Sequence, residues 1–170
     1  MSPFKDYNDL AKAVHSKTID PAEIEEKVSA LRREGKTIAT INGSFDLLHA
    51  GHLEILFQAA RQADVLIVLL NTDRSIQEYK SPLRPLIPLS YRLSMMAALA
   101  MVDYVSWFDE TDPRAILGRI RPDVHVNGAE YGADCMEAPV VRAYGGKIHI
   151  VELVPGLSTS QIITKIKTCV

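Results

Sequence analysis

A chain of 170 residues, 47% hydrophobic and 24% charged, has the material for one domain with a full core, and its formal net charge of -2 offers no basic face to a nucleic acid. Its two cysteines, Cys135 and Cys169, form neither a C-x-x-C pair nor a disulfide framework, which points to a reducing compartment. The first residues, with Lys5, Asp6 and Asp9, hold no apolar secretory segment, and the apolar run Val65 to Leu70 is far too short for a membrane span. A cytoplasmic protein with no nucleic-acid or membrane partner is therefore expected.

Residues 1–36 read as a helical extension ahead of a core domain over 37–170. Tyr7 to His15 is a candidate short helix. Asp20-Pro21-Ala22-Glu23 is a good helix start, with a capping carboxylate, a proline in the first turn and then an acid. Ile24, Val28 and Leu31 recur at helical spacing, and Gly35 is the expected stop. Beyond Gly35 strands and helices alternate. Thr37 to Ile41 is a strand, Gly51 to Ala63 a helix, and Val65 to Leu70 a strand apolar on both faces. Asn71 to Lys80 is polar and runs into Ser81 to Pro88, whose three prolines predict a loop, so 71–88 is taken as one long connection. Leu89 to Met101 is a helix, Tyr104 to Phe108 a strand, and Asp112-Pro113 opens a helix to about Ile120. Val124 and Val126 mark a fourth strand, followed by the loop 127–134 and a short helix from Ala138 to Tyr144 that Gly145-Gly146 ends. Ile148 to Val151 is a fifth strand and Thr159 to Lys167 a terminal helix. The pattern predicts an α/β fold, a doubly wound, mostly parallel five-stranded sheet of Rossmann-like form. Ligands bind such sheets beyond the carboxyl ends of the strands, where loops 42–52, 71–88, 127–134 and 155–160 gather.

The first of these loops organises the rest. Asn42-Gly43-Ser44-Phe45-Asp46-Leu47-Leu48-His49-Ala50-Gly51-His52 follows a strand and opens a helix, so free N–H groups and a positive dipole end are offered to an anion. His49 and His52, three apart, project to one side of the first turn. Gly51 allows close approach of backbone and substrate. Such an imidazole pair can also hold a metal, but no acid–histidine set nearby completes a site, so no protein-held metal is expected. Asp46 is either a turn aspartate or a direct ligand, and Phe45 suits packing better than base stacking. Lys80, Arg84 and Arg92 supply positive charge to the open edge, where arginine can fork two phosphate oxygens. Lys80 lies on a proline-flanked segment that can close over a triphosphate. Ser158-Thr159-Ser160 puts hydroxyls at a helix start, as a cap or a phosphate site or both.

Gly43-Ser44-Phe45-Asp46 with His49-Ala50-Gly51-His52 resembles the nucleotidyltransferase superfamily of cytidylyltransferases and adenylyltransferases. Asn71-Thr72-Asp73, Lys80, Arg84-Pro85, Arg92, Val126-Asn127-Gly128-Ala129-Glu130-Tyr131 and Ser158-Thr159 follow in order, and over about residues 36–168 the chain is most similar to the adenylyltransferase domain of the bacterial heptose-phosphate enzymes. The resemblance implies a nucleotidyltransferase domain over 37–170, with His49, His52 and Lys80 catalytic. It implies nucleotide binding by Gly43, Ser44, Phe45, Gly51, Asn71, Asp73, Arg92, Asn127, Gly128, Glu130, Ser158, Thr159 and Ser160, and acceptor binding by Asp46 and Arg84. It further implies ATP or CTP and a phosphorylated sugar or polyol as substrates, Mg²⁺ carried mainly by the triphosphate, and a homodimer.

The expected reaction is transfer of AMP from ATP to D-glycero-β-D-manno-heptose 1-phosphate, a step toward lipopolysaccharide. A cytidylyltransferase acting on glycerol 3-phosphate is the alternative. Those enzymes carry an arginine before the S-T-T segment, where this chain has Val154-Pro155-Gly156-Leu157. The heptose relatives tend to read Lys-Gly-Gly-Asp-Tyr where this chain has Asn127-Gly128-Ala129-Glu130-Tyr131. A cation is missing there, which bears on the acceptor and motivates a third reading, a nucleotide-binding module without turnover.

Overall fold

The computed structural model describes residues 6–152 and 158–169. Strands β1 (Ile38–Gly43), β2 (Val65–Asn71), β3 (Tyr104–Phe108), β4 (Val124–Gly128) and β5 (Lys147–Val151) form one sheet. Every pairing in it is parallel, and the order is β3-β2-β1-β4-β5. The helices are α1 (Tyr7–Lys17), α2 (Ile24–Arg33), α3 (Ala50–Ala60), α4 (Asp73–Tyr79), α5 (Leu89–Ala97), α6 (Arg114–Ile120), α7 (Ala138–Ala143) and α8 (Thr159–Thr168). None of them is long and apolar enough to cross a membrane.

β2 shows why its sequence carries no alternation. Leu66, Val68 and Leu70 enter one core with Ala39, Ile41, Leu56 and Met96, whereas Val65, Ile67 and Leu69 enter the other with Ile24, Val28, Ile38 and Leu117. Successive side chains point to opposite faces, both faces are covered, and so every position is apolar. Aspartates satisfy N–H groups at the starts of β1 and β2. Asp64 accepts from Thr37 at 2.9 Å, Asp123 from Ile38 at 2.8 Å, and Asp103 from Leu66 at 2.8 Å.

The extension is built into the body it precedes. Asp20 accepts from the Ala22 N–H at 2.8 Å, Pro21 opens a single 3-10 turn, and α2 ends before Gly35 at φ +74°. Ile24, Val28 and Leu31 of α2 are buried in the second core, where each apolar side chain of this size contributes about 1.5–3 kcal/mol relative to exposure. Thr18 bridges to Val105 and the Ile19 N–H donates to the Val105 carbonyl at 2.8 Å, so the segment covers the open edge of β3. Residues 6–36 thus share a core with the sheet of their own chain.

Several elements differ from the sequence expectation. The polar stretch after β2 contains α4, started by Thr72, whose hydroxyl accepts from the Ser75 N–H at 3.1 Å. This helix buries only Ser75 and Ile76, too little apolar surface to print a period. α3 stops at Ala60 and α5 at Ala97, short of the expected ends at Ala63 and Met101, and the residues between form turns and bends. The sixth helix begins at Arg114, with Asp112 accepting the Arg114 N–H at 3.0 Å.

Candidate active site

The order β3-β2-β1-β4-β5 reverses direction between β1 and β4, and a cavity of about 330 Å³ opens beyond the carboxyl ends of these two strands. β1 delivers Asn42 and Gly43, β4 delivers Asn127 and Gly128, and the starts of α3 and α8 bring His49, His52 and Ser158 to Ser160. Two helix N-termini therefore face one volume, and anions are favoured there by dipole and free N–H alike. Ser158 caps α8 by accepting from the Gln161 N–H at 3.2 Å.

The chain leaves β1 through a tight turn. Phe45 takes φ +45°, an uncommon conformation for a side-chain-bearing residue, and its ring folds back over Gly43. A Cβ at Gly43 would stand 3.2 Å from that ring, so the bare backbone there makes room for the phenyl group. Phe45 is buried, and its ring meets that of His52 edge to face at 5.5 Å between centroids. It supports the imidazole from behind.

The rings of His49 and His52 stack at 3.9 Å, and both Nδ1 atoms are buried without a hydrogen-bond partner among the described residues. Burial holds both imidazoles toward the neutral form. For His52, burial first and then the charges of His49 and Lys80 push its pKa from the ordinary 6.5 to about 4. Stacked rings cannot both be charged cheaply, so at neutral pH this is an uncharged pair with donors in reserve.

Lys80 ends α4 and donates to the Ser44 hydroxyl at 2.8 Å; the Tyr79 hydroxyl stands 2.7 Å from the same oxygen. Lys80 and Arg84 are the cations lining the cavity, and Glu130 is an exposed acid lining it from the β4 side.

Asp46 lines the cavity wall but is buried and engaged. Its carboxylate takes Arg84 Nε at 2.6 Å and the N–H groups of Leu86 and Ile87 at 2.8 and 2.9 Å. Burial alone would raise its pKa; these donors outweigh burial and hold the group below the usual carboxylate range. Its observed work is to fasten residues 84–87 to the turn after β1. Arg84 keeps the rest of its guanidinium for the cavity.

The expectation that Arg92 supplies charge to the open edge is corrected. Its side chain is fully buried and donates to the carbonyls of Ser44 at 2.6 Å, Asn71 at 2.9 Å and Ile87 at 2.9 Å, and to Asp73 at 2.6 Å. Asn71 and Asp73 share its fate: they do not line the cavity, and they brace Arg92 behind it. A guanidinium has five donors, which suits three carbonyls and a carboxylate meeting at one point. The other expected residues, Gly43, Ser44, Phe45, Asp46, His49, Gly51, His52, Lys80, Arg84, Asn127, Gly128, Glu130, Ser158, Thr159 and Ser160, all border the cavity. Ile41, Asn42, Ile55 and Tyr131 join them unannounced. Asn42 stood in the opening loop but carried no charge to single it out; its Oδ1 is buried without a partner among the described residues. The segment Val154 to Leu157, read as favouring one acceptor class, lies outside the described residues.

No group of three or more His, Cys, Asp or Glu able to hold a metal ion occurs among the described residues. A triphosphate brings oxygen ligands of the kind Mg²⁺ prefers.

Residues 40–169 match the sequence pattern of the family described as Cytidylyltransferase-like. The chain is 43% identical over 136 residues to the "Bifunctional protein HldE" of Syntrophotalea carbinolica, covering 79% of this chain and 28% of that protein. It is 36% identical over 166 residues to the protein of the same name from Alcanivorax borkumensis, covering 94% and 35%. It thus spans about a third of the length of these relatives. Among solved structures, the lipopolysaccharide core biosynthesis protein from Thermoplasma volcanium superposes with a TM-score of 0.57 at 24% identity, over 71% of this chain and 98% of that one, which is a likeness of fold.

Proposed function

Since the chain belongs to the Cytidylyltransferase-like family and is a nucleotidyltransferase, we propose that it transfers AMP from ATP to a sugar 1-phosphate, D-glycero-β-D-manno-heptose 1-phosphate, releasing pyrophosphate and ADP-heptose. The observation that carries the reaction type is the stacked, neutral pair His49 and His52 at the start of α3, inside a cavity that a second helix start and Lys80 also border. The acceptor assignment is supported by the order of motifs from Gly43 to Thr159 and by the identity to proteins named HldE.

In this reading a phosphate oxygen of the acceptor attacks the α-phosphorus. The new P–O bond forms as the bond to the β-phosphate bridging oxygen breaks, and the electron pair leaves with pyrophosphate. The nucleophile is already an anion, so no strong base is needed, and the protein's task is alignment and charge stabilisation. His49 and His52 donate N–H to the α-phosphoryl oxygens where charge builds. Lys80 leaves Ser44 for the triphosphate. The hydroxyls and N–H groups at Ser158 to Ser160 receive the outer phosphates. Mg²⁺ carried in with the triphosphate would supply further charge neutralisation.

The test is pyrophosphate release with ATP and CTP across a panel of sugar and polyol phosphates. Turnover with ATP and the heptose 1-phosphate is expected. Turnover only with CTP and a polyol phosphate would replace the substrate assignment, and tight nucleotide binding without turnover by any pair would replace the enzyme.

A further inference from the structure

Asn127 and Glu137 are both buried on the β4 side of the cavity, ten residues apart in sequence, and Asn127 Nδ2 donates to Glu137 Oε2 at 3.3 Å. The Cys135 thiol, also buried, adjoins both the Glu137 carboxylate and the Asn127 amide; burial first and then the carboxylate push its pKa up, and Asn127 offsets part of that rise. A carboxylate attracts only the NH₂ end of an amide, so the rotamer of Asn127 is settled by its neighbour. The carbonyl end is left for the cavity, which Asn127 lines. Beside it the Glu130 carboxylate folds over Gly128, where a Cβ would lie 2.3 Å from Oε2. Lys80 and Arg84 approach the same cavity from the β2 side.

We propose that Glu137 is a positioning residue that turns the Asn127 carbonyl oxygen into the cavity, where it accepts a hydrogen bond from a neutral N–H or O–H donor of a substrate. This rests on the nucleotidyl-transfer reading and adds a direction to it. Phosphates lie toward Lys80 and Arg84, while the uncharged, donor-bearing part of one substrate lies against Asn127 and Glu130. An anion placed at the β4 side would meet two acceptors, Asn127 and Glu130, and among the described residues the cavity's cations, Lys80 and Arg84, lie elsewhere. The donor is either a hydroxyl of the sugar or the exocyclic amine of the base.

Glu137→Gln tests it, because a carboxamide can donate to Asn127 and release its fixed orientation. With both substrates varied, the KM for one substrate is expected to rise about tenfold, while kcat and the other KM stay within about twofold. A rise in the acceptor KM identifies a sugar hydroxyl, and a rise in the nucleotide KM identifies the base amine. An analogue lacking that donor should lose the same factor with the parent protein and nothing further with the variant. Asn127→Leu, which removes the acceptor directly, must reproduce the shift. Unchanged KM values in both variants, or a fall in kcat with both KM values intact, would overturn the proposal. Should the parent protein turn over no substrate pair, the transfer reading fails, and the side-chain amide resonances of Asn127 decide this one. They shift in Glu137→Gln if the carboxylate holds the amide, and unmoved resonances refute it.

Discussion

At the scale of single residues, the chemistry of a side chain is set by what surrounds it. His49 and His52 are held toward the neutral form because they are partly buried and stacked, and an imidazole pair kept neutral in the free protein gains its strongest interactions only when phosphate charge arrives. Removing one of these donors should therefore cost the transition state and spare the fold. His52→Ala is expected to lower kcat by on the order of 10²-fold or more, with a melting temperature near that of the parent. Steady-state kinetics beside a thermal melt check this, and near-normal turnover would remove His52 from the role. A histidine in the sheet behaves differently. His125 is fully buried, with Nδ1 2.8 Å from the Thr40 hydroxyl and Nε2 unpartnered among the described residues, and burial pushes its pKa from the ordinary 6.5 to about 4. Its folded pKa lies below its unfolded one, so the unfolded chain binds the extra proton. Stability is therefore whole above pH about 6.5 and falls as the pH drops toward about 4, by about 3 kcal/mol at 1.36 kcal/mol per pH unit. His52 shifts in the same direction and adds to the parent's profile, so urea titrations at pH 7.5 and 5 are compared with His125→Asn, which should lose about 2 kcal/mol less over this range, and an equal fall in both would mean that His125 is accommodated as a cation.

At the scale of elements, Arg92 of α5 joins the end of β1, the end of β2 and the loop before its own helix through three carbonyls, with Asp73 of α4 as its counter-charge. Asp46 adds a second fastening from the β1 turn to residues 84–87. The segment that carries Lys80 is thus anchored on both sides, which leaves Lys80 free to move while its base stays put. Arg92→Met would strand these acceptors in the interior and is expected to destabilise the protein by about 3–5 kcal/mol. A chemical denaturation midpoint measures this, and a loss under about 1 kcal/mol would mean that water replaces the guanidinium. The strand–turn–helix around His49 was legible because apolar periodicity and a dense motif coincide there, and β2 because both its faces are covered. α4 was not legible, since a helix burying only Ser75 and Ile76 leaves no period to read. Arg92 was misread for a related reason: a sequence does not distinguish a guanidinium in solvent from one enclosed by carbonyls.

At the scale of the whole molecule, the alternation of elements after Gly35 was enough to call a parallel sheet, and the strand order then placed the site at the reversal between β1 and β4. Residues 6–36 were less readable. Their apolar spacing announced α2 but not its partner, and only the packing shows Ile24, Val28 and Leu31 sharing a core with Ile38 and Leu117. Glu137 was invisible for want of any motif, because its relation to Asn127 exists only once the residue capping α7 meets the end of β4. All these parts serve one claim, that the cavity aligns an acceptor phosphate with the α-phosphorus of a nucleoside triphosphate. The direct measurement is a reaction of ATP with a sugar 1-phosphate labelled with heavy oxygen on its phosphate, read by mass spectrometry of both products. The account predicts label in the oxygen bridging the two phosphorus atoms of the nucleotide sugar and none in the pyrophosphate. Label in the released pyrophosphate, or no nucleotide sugar with any phosphorylated acceptor, would contradict it.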